Sequence, residues 1–163
     1  MKTETKEDCD SFKIQKYMEM AESIAKLSPD IDTKVGAVLL SSTNRIVASS
    51  FNGFLRGAPD HKMPLTRPEK YTYLQHAERN LIYNCAYEGI RTKDTTIICT
   101  LSPCVDCLRA SFASGVKTII FKDLYRIFKN SDIYTELPDV KVEVSKIGTF
   151  TKLQMSRIDE KDS

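Results

Sequence analysis

Residues 95–121 read TTIICTLSPCVDCLRASFASGVKTIIF. The two ends of this stretch, Thr95–Thr100 and Val116–Phe121, are β-branched and apolar, which is the composition of strands buried on both faces. Between them Pro103 suits a first helical position, and Gly115 is placed to close the helix. A strand, a helix and a second strand in one stretch predict parallel pairing through a right-handed crossover.

Outward from this unit the same reading continues. Between Phe12 and Leu27, apolar Ile14, Tyr17, Met18, Ala21, Ile24 and Ala25 recur at helical spacing. Asp10 or Ser11 can cap that helix, and Ser28-Pro29 ends it, because the residue before proline is pushed out of the α region. Val35–Leu40 and Arg45–Ser50 flank the polar SSTN and predict a β-hairpin. Residues 52–75 carry two glycines and three prolines without a clear period, and so long a loop in a compact domain is usually functional. A helix follows from His76, with Gly89 placed to stop it. Beyond Phe121 a helix is expected within Leu124–Leu137 and an edge strand at Val140–Val144. The sum is an α/β fold: a five-stranded mixed sheet covered by helices on both faces, one domain at 11–151 with polar tails at 1–10 and 152–163.

The bulk numbers bound the function. A chain of 163 residues is the size of one domain, and 41% apolar with 28% charged residues is ordinary for a soluble globular protein. No apolar run approaches the ~20 residues of a membrane span. The start MKTETKEDCDS has no hydrophobic segment, so no signal peptide and a cytoplasmic protein are expected. Five cysteines, an odd number, point to free thiols or metal ligands rather than disulfides. A net charge of +2 gives no support to nucleic acid as a partner.

Two segments carry chemistry. His76-Ala77-Glu78 opens one predicted helix, and Pro103-Cys104-Val105-Asp106-Cys107 opens another. Residues three apart on a helix share a face, so Cys104 and Cys107 can grip one ion while His76 supplies a third ligand. Three protein ligands around tetrahedral zinc leave a fourth position for water, the catalytic arrangement. Glu78 can hang over that position as a general acid and base. A CxxC alone is as well explained by a structural zinc knuckle or a redox pair, and a lone histidine by an ordinary surface residue. A structural site wants four ligands, however, and Cys85 and Cys99 fall in apolar patterns of their own. HxE and PCxxC at successive helix starts form the combined signature of zinc deaminases.

At these residues the chain resembles the cytidine deaminase superfamily, and within it the deoxycytidylate branch. The resemblance covers roughly residues 12–145, on the stretches LSPDIDTKVGAVLL, SFNGFLRG, HAERN and TIICTLSPCVDCLRASFASGVKTIIF. Lys34 before VGAV, Asn52-Gly53 and Arg56-Gly57 carry the branch assignment. Ser50, Phe51 and Leu55 stand where the branch usually has glycine, tyrosine and proline.

The resemblance implies a three-layer α/β/α sandwich and hydrolysis of dCMP to dUMP and ammonia. It implies one catalytic zinc held by His76, Cys104 and Cys107, with Glu78 shuttling protons. It further implies that the Ala77 amide holds the cytosine carbonyl, Asn52 contacts the sugar and Tyr125 packs on the base. Lys34, Arg56 and Arg126 are the candidate phosphate cations. Effectors dCTP and dTTP and a homo-oligomer, commonly a hexamer, belong to the same implication. A tRNA adenosine deaminase shares HAE and PCxxC but needs a basic RNA face, which 24 basic against 22 acidic residues do not favour. A non-catalytic zinc module predicts a fourth protein ligand.

Overall fold

The computed structural model describes residues 4–159. Six strands form one sheet: β1 Gly36–Leu40, β2 Ile46–Phe51, β3 Thr96–Leu101, β4 Thr118–Asp123, β5 Lys141–Ile147 and β6 Phe150–Ser156, in the order β2-β1-β3-β4-β6-β5. Five helices accompany them: α1 Lys6–Ala25, α2 Lys70–Tyr73, α3 Ala77–Glu88, α4 Val105–Ala113 and α5 Asp132–Thr135. Only β3 and β4 pair in parallel, through α4; β1–β2, β1–β3, β4–β6 and β5–β6 are antiparallel.

All five residues of β1 are buried, because helices cover both faces of the sheet there. Val38 and Leu40 face Ile14, Met18 and Ala21 of α1, while Ala37 and Leu39 face Leu81 and Cys85 of α3 and Leu108 of α4. Gly36 sets how closely α1 approaches. A Cβ on it would lie 1.9 Å from the Ala21 carbonyl oxygen, so any side chain there forces helix and sheet apart.

The sixth strand corrects the five-stranded reading and the assignment of 152–163 as a polar tail, since β6 runs to Ser156 between β4 and β5. Leu153 and Met155 face the α3–α4 core, but Lys152 and Gln154, on the other face, are only half-buried. Lys152 to Met155 thus alternate with period 2, a strand signal confined to four residues of an otherwise polar segment. The N-terminal boundary moves as well. Thr5 caps α1 and shares a capping box with Asp8, so a polar first turn extends the helix into the 1–10 segment. Within Leu124–Leu137 only the single turn of α5 is helical. Pro103 precedes the N-cap of α4 instead of opening the helix.

Candidate active site

His76 is the N-cap residue of α3 and Cys104 that of α4. Both helices are seated on the same core by Leu81, Cys85 and Leu108, so their first turns meet beside the ends of β1 and β3. The start of α3 is fixed from the hairpin: Ser50 Oγ donates to the Ala77 carbonyl at 2.5 Å, and Asn80 Nδ2 donates to that of Phe51 at 3.1 Å. The start of α4 is fixed from the other side. Tyr134, fully buried on α5, donates its hydroxyl to the Pro103 carbonyl at 2.6 Å.

Cys104 Sγ lies 3.5 Å and Cys107 Sγ 3.4 Å from His76 Nδ1, and the three donor atoms fall within 4.8 Å of one another. Bond lengths of about 2.3 Å to sulfur and 2.0–2.1 Å to nitrogen, set at tetrahedral angles, put an imidazole nitrogen about 3.6 Å from a thiolate. The spacing fits a zinc ion without rearrangement. Among the described residues no other His, Cys, Asp or Glu joins this cluster, so the donor set is the three-ligand kind that keeps one position open. Cys104 is readied for it. Hydrogen bonding with Cys107, and with the His76 ring, holds its thiol at about 4. The shared proton raises the Cys107 thiol instead, and metal binding would release it.

Glu78 sits in the first turn of α3, 4% exposed. Burial drives its carboxyl up to about 7, against the hydrogen bond from its own amide and the His76 charge. A carboxyl poised near neutrality can take and return a proton at physiological pH.

These groups open into a cavity of about 400 Å³ whose wall includes His76, Ala77, Glu78, Cys104, Asn52, Tyr125 and Arg126. That volume lies in the range of small-molecule sites. Asn52 lines it with its amide largely committed: Oδ1 accepts from the Val35 amide at 2.8 Å and Nδ2 donates to the Thr33 carbonyl at 2.8 Å. Tyr125 is half-buried, its amide bonded to Ser102 Oγ at 2.7 Å and its ring edge-on to Phe128 at 5.9 Å.

Two expected phosphate cations lie elsewhere. Lys34 Nζ donates to the Ser28 carbonyl and borders a separate cleft beside Glu22. Arg56 lies over the Tyr87 ring at 4.0 Å and bonds Asn84 at 2.9 Å, on the outer side of α3. Both cations are taken up by local partners that the sequence does not reveal.

The structure brings in residues that the sequence reading passed over. Lys70, 2% exposed, joins the cavity wall from α2 and pairs with Asp30 at 2.9 Å and Asp32 at 2.6 Å. Arg67 lines the same wall and reaches Asp32 at 3.5 Å. They hang on the long loop, whose ends are pinned by paired Gly53–Gln75 hydrogen bonds of 3.1 and 2.7 Å. The one available signal was three prolines and no period, which marks a loop without naming its contacts.

Residues 11–123 match the family model described as the cytidine and deoxycytidylate deaminase zinc-binding region. The chain belongs to that family. Deoxycytidylate deaminases of Homo sapiens and Pongo abelii are each 32% identical to it over 111 residues, 64% of this chain and 61% of theirs. The chain thus spans about three-fifths of the length of these curated relatives. The crystal structure of the dCMP deaminase from cyanophage S-TIM5 in complex with dCMP and dUMP is 29% identical, with a TM-score of 0.59, covering 69% of this chain and 82% of the phage chain. Its apo form gives 28% and 0.61. The mixed α/β fold is therefore that of the deaminases, with six strands here. Among the described residues no helix is long and apolar enough to cross a membrane.

Proposed function

We propose that this protein is a zinc-dependent deaminase that converts dCMP to dUMP and ammonia. The observation that carries the reading is the convergence of one imidazole and two thiols, at zinc spacing, on a cavity where a buried carboxyl is held near neutrality. His76, Cys104 and Cys107 hold the ion. Zinc in such a site lowers the pKa of water towards neutrality.

Glu78 then does the proton work. Its carboxylate accepts the proton of the attacking water and delivers it to the ring nitrogen beside the amino-bearing carbon. It next takes the second proton of that oxygen, now bonded to the ring carbon, and passes it to the amino group, so that the carbonyl forms as the C–N bond breaks and ammonia leaves. The Ala77 amide, among the free N–H groups of the first turn of α3, suits the cytosine carbonyl oxygen. Tyr125 offers a ring to the base, and Asn52 holds the loop beneath the sugar. Regulation by dCTP and dTTP and assembly into a homo-oligomer follow from the family resemblance and belong to the same proposal.

A turnover panel tests it: ammonia release from dCMP, dCTP, CMP, deoxycytidine and deoxyadenosine by the zinc-loaded protein, with and without dCTP and dTTP. Turnover greatest on dCMP is expected. Zinc-loaded protein inert on every cytosine substrate overturns the proposal.

A further inference from the structure

The cavity has a second charged feature, at its exposed edge. Arg67, Lys70 and Arg126 all line the wall, on two pieces of chain: the long loop, which includes α2, and the segment after β4. Two carboxylates, Asp30 and Asp32, stand against these three cations. Asp30 is buried and committed: it bonds Lys70, accepts from the Asp32 amide at 2.9 Å and faces Asn52 Nδ2 at 3.5 Å. Asp32 differs. Its side chain is 42% exposed, it is absent from the wall, and it draws on Lys70, Arg67 and Arg126 together, which hold its carboxyl below the usual range, Lys70 most strongly.

The three cations are not equivalent. Lys70 is sequestered, with Asp30 and Asp32 both within hydrogen-bonding distance of its ammonium. Arg67 meets Asp32 at only 3.5 Å through Nε, with 40% of its side chain exposed, an ion pair of the solvent-screened sort that breaks at little cost. Arg126 is exposed and lines the same cavity. A guanidinium presents a planar fork of donors that matches phosphate oxygens better than one carboxylate at long range.

We infer that Arg67 and Arg126 seat the 5′-phosphate of the substrate, and that Asp32 pairs with Arg67 in its absence and yields it when the phosphate arrives. The inference rests on the deaminase reading for the substrate's name but on the cavity wall for its chemistry. Lys70 keeps Asp32 tethered through the exchange, so the carboxylate withdraws without leaving. A phosphate monoester, carrying more charge than the carboxylate it displaces, wins Arg67. A nucleoside has nothing with which to do so, and the device therefore sets nucleotide over nucleoside.

The experiment compares zinc-loaded wild type with Arg67→Gln, Arg126→Gln and Asp32→Asn on dCMP and deoxycytidine, with inorganic phosphate as competitor. In each arginine variant the ratio of kcat/KM on dCMP to that on deoxycytidine falls about tenfold or more, the scale of one charge-assisted contact. Phosphate inhibition of deoxycytidine turnover weakens in parallel. Asp32→Asn raises the ratio, mainly through a lower KM for dCMP. Equal losses on both substrates, or a lower ratio in Asp32→Asn, overturn the inference. If wild type turns over neither substrate, the deaminase reading fails by itself. Phosphate-induced shifts in Tm of the same four proteins then judge the seat: wild type shifts and the arginine variants do not, and no shift in wild type overturns it. The wild-type phosphate measurements decide even if a variant fails to fold.

Discussion

At the zinc end of the cavity, His76, Cys104 and Cys107 project from helix starts that rest on buried strands, and their spacing follows from that packing. At the mouth, Asp30, Asp32, Arg67 and Lys70 come from loops and a four-residue helix, and their geometry is held chiefly by ion pairs and polar hydrogen bonds. The first region owes its shape to packing and the second to ion pairing. Chemistry that tolerates little displacement is thus mounted on the rigid scaffold, while the end that must admit a ligand is built from contacts that can exchange.

The largest expected effects fall on the rigid end. Cys107→Ala removes one of three ligands, so zinc content by elemental analysis drops from about one per chain to a small fraction and turnover goes to background. Cys85→Ala, a buried thiol of the same helix-and-sheet core but outside the cluster, keeps its zinc. Glu78→Gln separates metal from proton transfer: zinc stays near one per chain while kcat falls about 10²–10⁴-fold, the usual worth of a positioned acid–base group. A Glu78→Gln protein with near-normal kcat would remove the proton role from this carboxyl.

The same contrast explains what the sequence discloses. HAE and PCxxC are legible because each is a local spacing at a helix start, and periodicity locates helix starts well. The buried strands β1, β3 and β4 are legible because helices cover both faces and leave no polar positions in Val38–Leu40, Ile97–Cys99 or Ile119–Phe121. β6 is less so, because its alternation of Lys152 and Gln154 with Leu153 and Met155 covers only four residues of an otherwise polar segment. The mouth is not legible. Asp30 and Lys70 are separated by 40 residues, and nothing local distinguishes Lys70 from the other lysines of a charged chain. Lys34 and Arg56 were equally plausible from their positions, and nothing in the sequence marks the Ser28 carbonyl and the Tyr87 ring that claim them.

Lys70 sharpens the comparison on the stability side. Lys70→Met leaves Asp30 buried beside an apolar group, and removing one member of a buried pair costs about 3–5 kcal/mol. Denaturant unfolding should show this as a lower midpoint with unchanged slope. Adding Asp30→Asn to Lys70→Met should recover much of the loss, because the buried uncompensated charge is gone. Tyr134→Phe is smaller. It deletes the buried hydrogen bond to the Pro103 carbonyl, along with the hydroxyl's contact to Ser102, and should cost about 1–3 kcal/mol. Its position outside residues 11–123 makes it a test of whether the chain beyond the family match supports the cysteine loop.

The smallest expected effect is the pH dependence of the mouth. Asp32 has its carboxyl lowered from 3.8 by the Lys70 hydrogen bond, with Lys70, Arg67 and Arg126 adding their charges. A lowered folded-state carboxyl gives stability that is fully present above the ordinary carboxylate range and drains away as pH falls through the folded value. Lys70 works from the other side. Burial pulls its ammonium down, yet Asp32 and Asp30 outweigh burial and hold it above 10.5, so its contribution is complete below that value and lost only as pH climbs past the folded one. Between these limits the mouth lends a flat contribution, and Asp32→Asn should make the acid-side slope shallower, with Asp8, Glu19 and Asp94 supplying the remainder, while leaving the neutral plateau nearly level. Unfolding midpoints from pH 3 to 6, wild type against Asp32→Asn, measure it. Parallel acid limbs would mean that Lys70 is held by Asp30 alone, and Asp32 would then be free of structural duty at the phosphate seat.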